Sequence, residues 1–249
     1  MTISPSTISP SNDPLSAEAV FDTVGPAYET AFADLGAQSA SLEWLLSQIS
    51  LFSSSDSEGT GKKKIKIVDL GCGTGRPVIS TLASSTKNSD FEILGIDISS
   101  AMISAAKERV SFPNVRFEKR DISEFLASTE NGEYTAVTVY FSLIAGMTQS
   151  GIKHVLGEIA RVLQPGGLFV FATVPLDAEN EEIMWMGNKV RVSSLSTEDV
   201  LTTLKEVGLE VVFQELSAFT PKAEEAGICK AEDAWEEPHL FVYAKKPAV

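Results

Sequence analysis

Cysteine, histidine and long apolar runs are what this 249-residue chain has least of, with two Cys and two His in all. Cys72 and Cys229 are too few for a disulfide framework, so the expected compartment is reducing, the cytoplasm. With only the distant His154 and His239 to add, no Cys/His metal cluster can be assembled, and no metal is expected. The absence of a run of about 18 apolar residues excludes a bilayer-spanning helix. The first residues lack a basic start followed by an apolar stretch, so no signal peptide is expected. Basic residues are also scarce: 20 Lys and Arg face 34 Asp and Glu, a net charge of -14. Such a surface repels phosphate backbones and anionic lipid, which makes nucleic acid and membranes poor partners.

What is present suits one globular domain. Hydrophobic residues make up 43% of the chain, enough for one substantial core and a cap. Residues 1–15 are rich in Ser, Thr and Pro and carry Thr-Ile-Ser-Pro twice, which reads as a disordered tail. From residue 16 to 52 the apolar spacing is helical: Val20, Phe21 and Val24, then Tyr28, Phe32 and Leu35, then Leu42, Leu45, Leu46 and Ile49. A polar loop over residues 53–64 ends this helical cap.

Strands and helices then alternate. Short apolar strands are expected at residues 65–70, 91–96, 115–119, 134–141 and 168–174, with helices from Pro77, after Ser99 or Ser100, at residues 122–126 and at 151–163. That order implies a parallel sheet with helices on both faces over residues 64–175. Residues 176–249 differ. A helix near 197–207 precedes two strands, 209–216 and 239–244, joined by a long polar loop; an antiparallel hairpin at one sheet edge is the expected placement.

The chemistry-bearing feature is Val68-Asp69-Leu70-Gly71-Cys72-Gly73-Thr74-Gly75, which follows a strand and opens a helix. Its glycines let the backbone approach a ligand closely. The spacing is Gly-x-Gly-x-Gly, and Asp69 stands where a pyrophosphate would lie in a dinucleotide site. A carboxylate there is unfavourable to an anion but suits a ligand bearing an ammonium and a sulfonium. Asp97, at the end of the second strand, can accept hydrogen bonds from both ribose hydroxyls of a nucleoside. Asp121, after the third strand, can accept from an adenine amino group with Ile122 and Met102 flanking the ring. Asp121 serves equally as a helix cap, and Met102 equally as core.

With these motifs and the run Ile159-Ala160-Arg161-Val162-Leu163-Gln164-Pro165-Gly166-Gly167, the chain resembles the class I S-adenosylmethionine-dependent methyltransferases, more narrowly their type 11 and type 25 branch. The resemblance covers roughly residues 21–246. It implies a Rossmann-like, doubly wound α/β fold with a mostly parallel seven-stranded sheet whose last strand is antiparallel. It implies S-adenosylmethionine as cofactor, bound by Tyr28, Asp69, Gly71, Cys72, Gly73, Gly75, Asp97, Ile98, Met102, Asp121, Ile122, Tyr140 and Phe141, with Tyr28 in a segment that folds over it.

The base is harder to name. Many relatives place a His shortly after the fourth strand; here Ala145 stands at that position. No Asn-Pro-Pro-Tyr motif follows the strand, which argues against methylation of nucleic-acid amines by that route. Tyr28, Tyr140 and His239 are the remaining candidates, and His154 reads as a solvated helix residue. The segment Ile183-Met184-Trp185-Met186-Gly187 reads either as the wall of a small-molecule pocket or as a cap helix. The expected function is methyl transfer to O, N or S of a small molecule. A cofactor-binding protein without turnover and a protein methyltransferase are the alternatives.

Overall fold

The computed structural model describes residues 13–55, 64–85 and 91–248. The tail reading falls mostly outside them, but Leu15 does not behave as tail: its N–H donates to the Lys189 carbonyl at 2.9 Å. The chain runs through α1 (Ala17–Val24), a 3₁₀ turn, α2 (Tyr28–Ala31) and α3 (Gly36–Ser55) before the first strand. It continues as β1 (Ile65–Leu70), α4 (Val78–Ser85), β2 (Phe91–Asp97), α5 (Ser100–Arg109), β3 (Val115–Lys119), α6 (Ile122–Ala127), β4 (Tyr134–Tyr140), α7 (Gln149–Val162) and β5 (Leu163–Thr173). Then come β6 (Glu181–Trp185), β7 (Asn188–Val192), α8 (Thr197–Glu206), β8 (Glu210–Phe219) and β9 (Glu237–Lys245).

Seven strands form one sheet in the order β3-β2-β1-β4-β5-β9-β8. Pairing is parallel from β3 to β5, and β9 is antiparallel to both β5 and β8. The expected seven-stranded Rossmann-like sheet is therefore present. The expected antiparallel pair at one sheet edge is present, with β9 next to β5 and β8 outermost. Alternation along the strands feeds two apolar layers. Phe169 and Phe171 of β5 face α6, α7 and α8. Leu168 and Val170 face α3, α4 and α5. This period of two is the physical basis for coverage on both faces.

Two sequence groupings change. Helix α3 runs through Ser55, past the expected start of the polar loop, and it is not part of a lid. Leu42, Leu45 and Ile49 are buried with Ile67 and Ile79 in the sheet's second layer. The segment around Trp185 is not a helix but the β6–β7 hairpin, with Trp185 opposite Asn188. Its two-residue turn has Met186 at φ 47° and Gly187 at φ 73°. Both values are positive, as a type I′ turn requires. A left-handed Met is uncommon; here its side chain is buried against Val24, Ala31 and Phe32 of the cap.

Because α3 is a structural layer, truncating its fully buried Leu45 has a predictable consequence. Leu45→Ala should lower the free energy of unfolding by about 2–5 kcal/mol, read from urea denaturation. A loss below about 1 kcal/mol would mean that α3 does not contribute to the core.

Candidate cofactor and acceptor site

The sheet order reverses between β1 and β4, and the loops after these strands leave on opposite sides. Ligand crevices of open α/β sheets form at such a point. After β1 the chain turns through Gly71, at φ 78°. A Cβ on Gly71 would fall 2.1 Å from Ser142 Cβ, so only glycine allows the two loops this approach. The N–H groups of Gly71 and Cys72 both donate to the Ile96 carbonyl at 2.8 Å, fixing the loop to β2. At Gly73, φ 52°, a Cβ would meet nothing within 4 Å. The space over this backbone is open, as a cradle for a ligand requires.

Two buried carboxylates stand beneath it. Asp69 is 2% exposed and accepts from Thr138 Oγ1 at 2.7 Å. Burial pushes its pKa up to about 7, against the lowering effect of Thr138, and the Asp97 charge adds to the rise. Asp97 accepts from the Gly73 N–H at 2.9 Å and the Ser99 N–H at 2.8 Å. Burial raises its pKa also, opposed by these two backbone donors. Cys72 between them is buried, and burial together with both acids holds its thiol well above the usual range. It is a small residue in a crowded loop, not a nucleophile.

A trough of about 530 Å³ opens above the loop. Tyr28, Asp69, Gly71, Cys72, Gly73, Tyr140 and Phe141 line it, which brings seven of the expected cofactor residues to one surface. The others lie apart from it. Gly75 packs near Phe117 and Val110, and Asp97 sits behind the Gly73 peptide. The nucleoside-side residues are covered by the cap: Asp22 of α1 accepts from Ser99 Oγ at 2.5 Å and from the Ala101 N–H at 3.2 Å. Met102 is buried at 1% exposure, as core. Asp121 is the N-cap of α6, accepting from the N–H groups of Ser123 and Glu124 at 2.8 and 3.1 Å; Ile122 packs against the core and Ile98 is half-buried. Phe141 has φ 57°, a strained value for an aromatic residue, at the reversal point where the chain leaves β4.

The donor set fits S-adenosylmethionine. A buried carboxylate faces the trough beside an open stretch of backbone, which matches a ligand whose amino-acid end and sulfur both carry positive charge.

A second cavity lies beyond a shared partition. Tyr28, Phe32 and Phe141 line both spaces. The second is an apolar chamber of about 60 Å³ walled by the cap, the β6–β7 hairpin and the segment before β9. Its rings touch: Tyr28 and Phe32 stack at 4.4 Å, and Phe21 meets Tyr28 and Trp185 edge-on at 6.0 Å. Ala145 is on its wall, so the expected base position presents only a methyl group. The long polar loop before β9 is docked, not loose: the Lys222 N–H donates to the Ala31 carbonyl at 2.8 Å, and Ala223 is buried. It carries Trp235 into the chamber, and Glu237, the first residue of β9, lines it as well.

Glu237 was missed by sequence reasoning because it sat in a polar run. It is 4% exposed. Oε1 accepts from Trp185 Nε1 at 2.9 Å and Oε2 pairs with His239 Nε2 at 3.1 Å. The expected bases fare less well. The Tyr140 hydroxyl is bonded to Ser41 Oγ at 2.6 Å, and Ser41 itself donates to the Gln38 carbonyl at 2.7 Å, so Tyr140 is the donor. Burial raises the phenols of Tyr140 and Tyr28 well above their usual range, the latter with help from the Glu237 charge. Neither is a base at neutral pH. His239 is fully buried among Phe32, Phe141 and Phe219, lines neither cavity, and meets Glu237 through Nε2. Among the described residues no group of three or more His, Cys, Asp or Glu is placed to hold a metal, and no helix is long and apolar enough to cross a membrane.

Comparison with known proteins agrees with this geometry. The family model described as "Methyltransferase domain" matches residues 61–215. A ubiquinone/menaquinone biosynthesis C-methyltransferase of Campylobacter jejuni is 33% identical over 117 residues, 44% of each chain. The 27-O-demethylrifamycin SV methyltransferase of Amycolatopsis mediterranei is 29% identical over 153 residues, 58% of this chain and 54% of that one. The chain thus spans about half the length of the curated relatives it matches. Among solved structures, an S-adenosylmethionine-dependent methyltransferase of Methanosarcina mazei superposes with a TM-score of 0.59 at 15% identity, covering 75% of this chain and 94% of that one, which shows the shared fold.

Two measurements test the trough. A cationic ligand requires Asp69 ionised, and its carboxyl stands near pH 7 in the free protein. S-adenosylmethionine affinity by calorimetry should therefore rise with pH between 5.5 and 7, by up to about tenfold per unit, and level off above. Asp69→Asn should flatten that dependence; a slope that persists in Asp69→Asn would assign it elsewhere. Gly73→Val, which fills the open space and strains a positive φ, should abolish binding while the circular dichroism stays native. Unchanged affinity in Gly73→Val would move the cofactor away from this loop.

Proposed function

On the premise that this chain belongs to the class I S-adenosylmethionine-dependent methyltransferases, we propose that it transfers the methyl group to a small molecule held in the aromatic chamber. The carrying observation is the shared lining: Tyr28, Phe32 and Phe141 border both the chamber and the trough above the glycine loop. Transfer from a cofactor in the trough to an acceptor in the chamber requires these side chains to leave a path between them. S-adenosylmethionine, when bound, supplies a methyl carbon already activated by its sulfonium. The chain's part is to align the acceptor atom with that carbon and to exclude water.

The chamber's cover supports a small acceptor. Its walls come from α1 and α2, from β6 and β7, and from the segment that follows the loop docked on Ala31, and most of its lining is apolar. Such a site buries most of a small ligand and leaves little room for a folded protein segment. Two matched relatives bear names that refer to quinone biosynthesis and to a rifamycin derivative, both small molecules. The glycine loop, Asp69 and the open Gly73 support the cofactor half of the reading. Asp97, held by Gly73 and Ser99, is the acid proposed for the ribose. Opening of the cap over the Ser99 corner would then expose Ile98 and Met102.

Incubation of the pure protein with methyl-labelled cofactor and a metabolite extract tests this reading. Label should appear in a small molecule. Label in protein would support a protein methyltransferase, and tight cofactor binding without transfer a regulatory protein. With the acceptor in hand, Tyr140→Phe should cost less than about tenfold in kcat/KM, since its hydroxyl is occupied by Ser41. A loss of 10²–10⁴-fold would make Tyr140 an acid–base residue after all.

A further inference from the structure

Most of the chamber's lining is apolar. Glu237 is the one carboxylate among its lining side chains, Ser194 and Tyr28 add hydroxyls, and no Lys or Arg is among them. A buried carboxylate is costly unless it is paired and hydrogen-bonded. Glu237 has two hydrogen-bond partners, the Trp185 indole and the His239 imidazole, one to each oxygen. A carboxylate has about four acceptor positions, so these bonds leave capacity for a further donor. Among the described residues no Lys or Arg pairs with Glu237; its one ionisable partner is His239, whose Nδ1 is buried without a partner.

The walls favour the same kind of ligand. Tyr28, Trp185 and Trp235 line the same space as Glu237. Aromatic faces attract ammonium groups, most strongly where water is excluded, and Trp is the best of them. Ala145, on the chamber wall, presents only a methyl group. A neutral alcohol would leave the buried charge uncompensated, and an anionic acceptor would be repelled. A primary or secondary ammonium would satisfy the free acceptor positions and the rings together.

We propose that the methyl acceptor is a small apolar molecule bearing a basic amine, held as its ammonium by Glu237 between the rings of Tyr28, Trp185 and Trp235. This rests on the small-molecule reading above and narrows it to N-methylation. The ammonium must shed one proton to attack. That proton passes from nitrogen to a Glu237 oxygen, the carbon–nitrogen bond forms as the methyl carbon–sulfur bond of the donor breaks, and the electron pair stays on sulfur. The product leaves as an N-methylammonium, and the proton on Glu237 returns to solvent. His239 is a positioning residue that holds the carboxylate through Nε2.

The test uses the full chain saturated with S-adenosylhomocysteine, and matched arylalkyl amines, alcohols and carboxylic acids of the same skeletons. Binding is followed by calorimetry and by the fluorescence of Trp185 and Trp235. At least one amine should bind about tenfold or more tightly than its matching alcohol, and the acids should not bind. E237Q should bring that amine to the level of its alcohol. Should E237Q fail to fold, Trp235→Leu, at a half-buried position, should weaken the amine severalfold and leave the alcohol unchanged. Alcohols or acids that bind as well as the amines, no binding by any amine, or an amine preference that survives in E237Q would each overturn the proposal. In the labelled-extract experiment, label in a small molecule lacking a basic nitrogen sinks the amine inference alone. Label only in protein sinks the small-molecule reading with it.

Discussion

The contact on which the site depends is the one between Gly71 and Ser142. The sheet reverses its winding between β1 and β4, and the loops leaving their carboxyl ends must pass each other before they diverge. They pass so closely that a single methyl group on residue 71 would overlap Ser142. Ser142 Oγ also donates to the Leu70 carbonyl at 2.6 Å, which locks the crossing. The strained backbone of Phe141, one residue earlier, belongs to the same turn and puts its ring between the two cavities. Crevice, glycine loop and partition follow from one close approach of backbone to side chain.

Charge at the site is arranged against the expense of burial. Asp69, Asp97 and Glu237 are each under a tenth exposed. None is paired with a Lys or Arg among the described residues: Asp69 is held by Thr138 and Asp97 by the Gly73 and Ser99 amides, donors without formal charge, and Glu237 by Trp185 and His239. Uncharged donors orient a carboxylate without cancelling its field. A cation arriving from solvent then finds the field intact in a medium of low dielectric, where it acts strongly. The net charge of -14 has the same sign and draws cationic ligands over longer range.

The cap is tied to this frame by polar contacts at its two ends. Glu29 of α2 accepts from Thr74 of the glycine loop at 3.0 Å and pairs with Arg109. Asp22 of α1 caps the start of α5, and Glu18 pairs with Lys119. Between these ties the cap rests on rings and small apolar residues. The sheet itself is secured by α3 and the two apolar layers beneath.

The alternation of apolar strands and helices determined the doubly wound sheet, and the Gly-x-Gly-x-Gly spacing with Asp69 and Asp97 determined where the cofactor acids stand. These are local signals: periodicity of two or 3.6, and residue types required by a turn or by a strand end, repeat within a few positions of one another. What the sequence left open was decided by contacts across long separations. Whether Asp121 caps or binds depended on where α6 begins, and Met102 became core because α5 rolled that face inward. Tyr140 lost its role as a base to Ser41, 99 residues away in the chain. Glu237 looked like one more acid in a polar loop. Strand periodicity sets it on the same face as His239, but only the tertiary fold, with the preceding loop docked on α2, put it beside Trp185, 52 residues away in the chain. Local pattern selects elements because backbone geometry is periodic. The environment of a charged side chain is set by whatever the folded chain brings against it, and no pattern in the sequence encodes that.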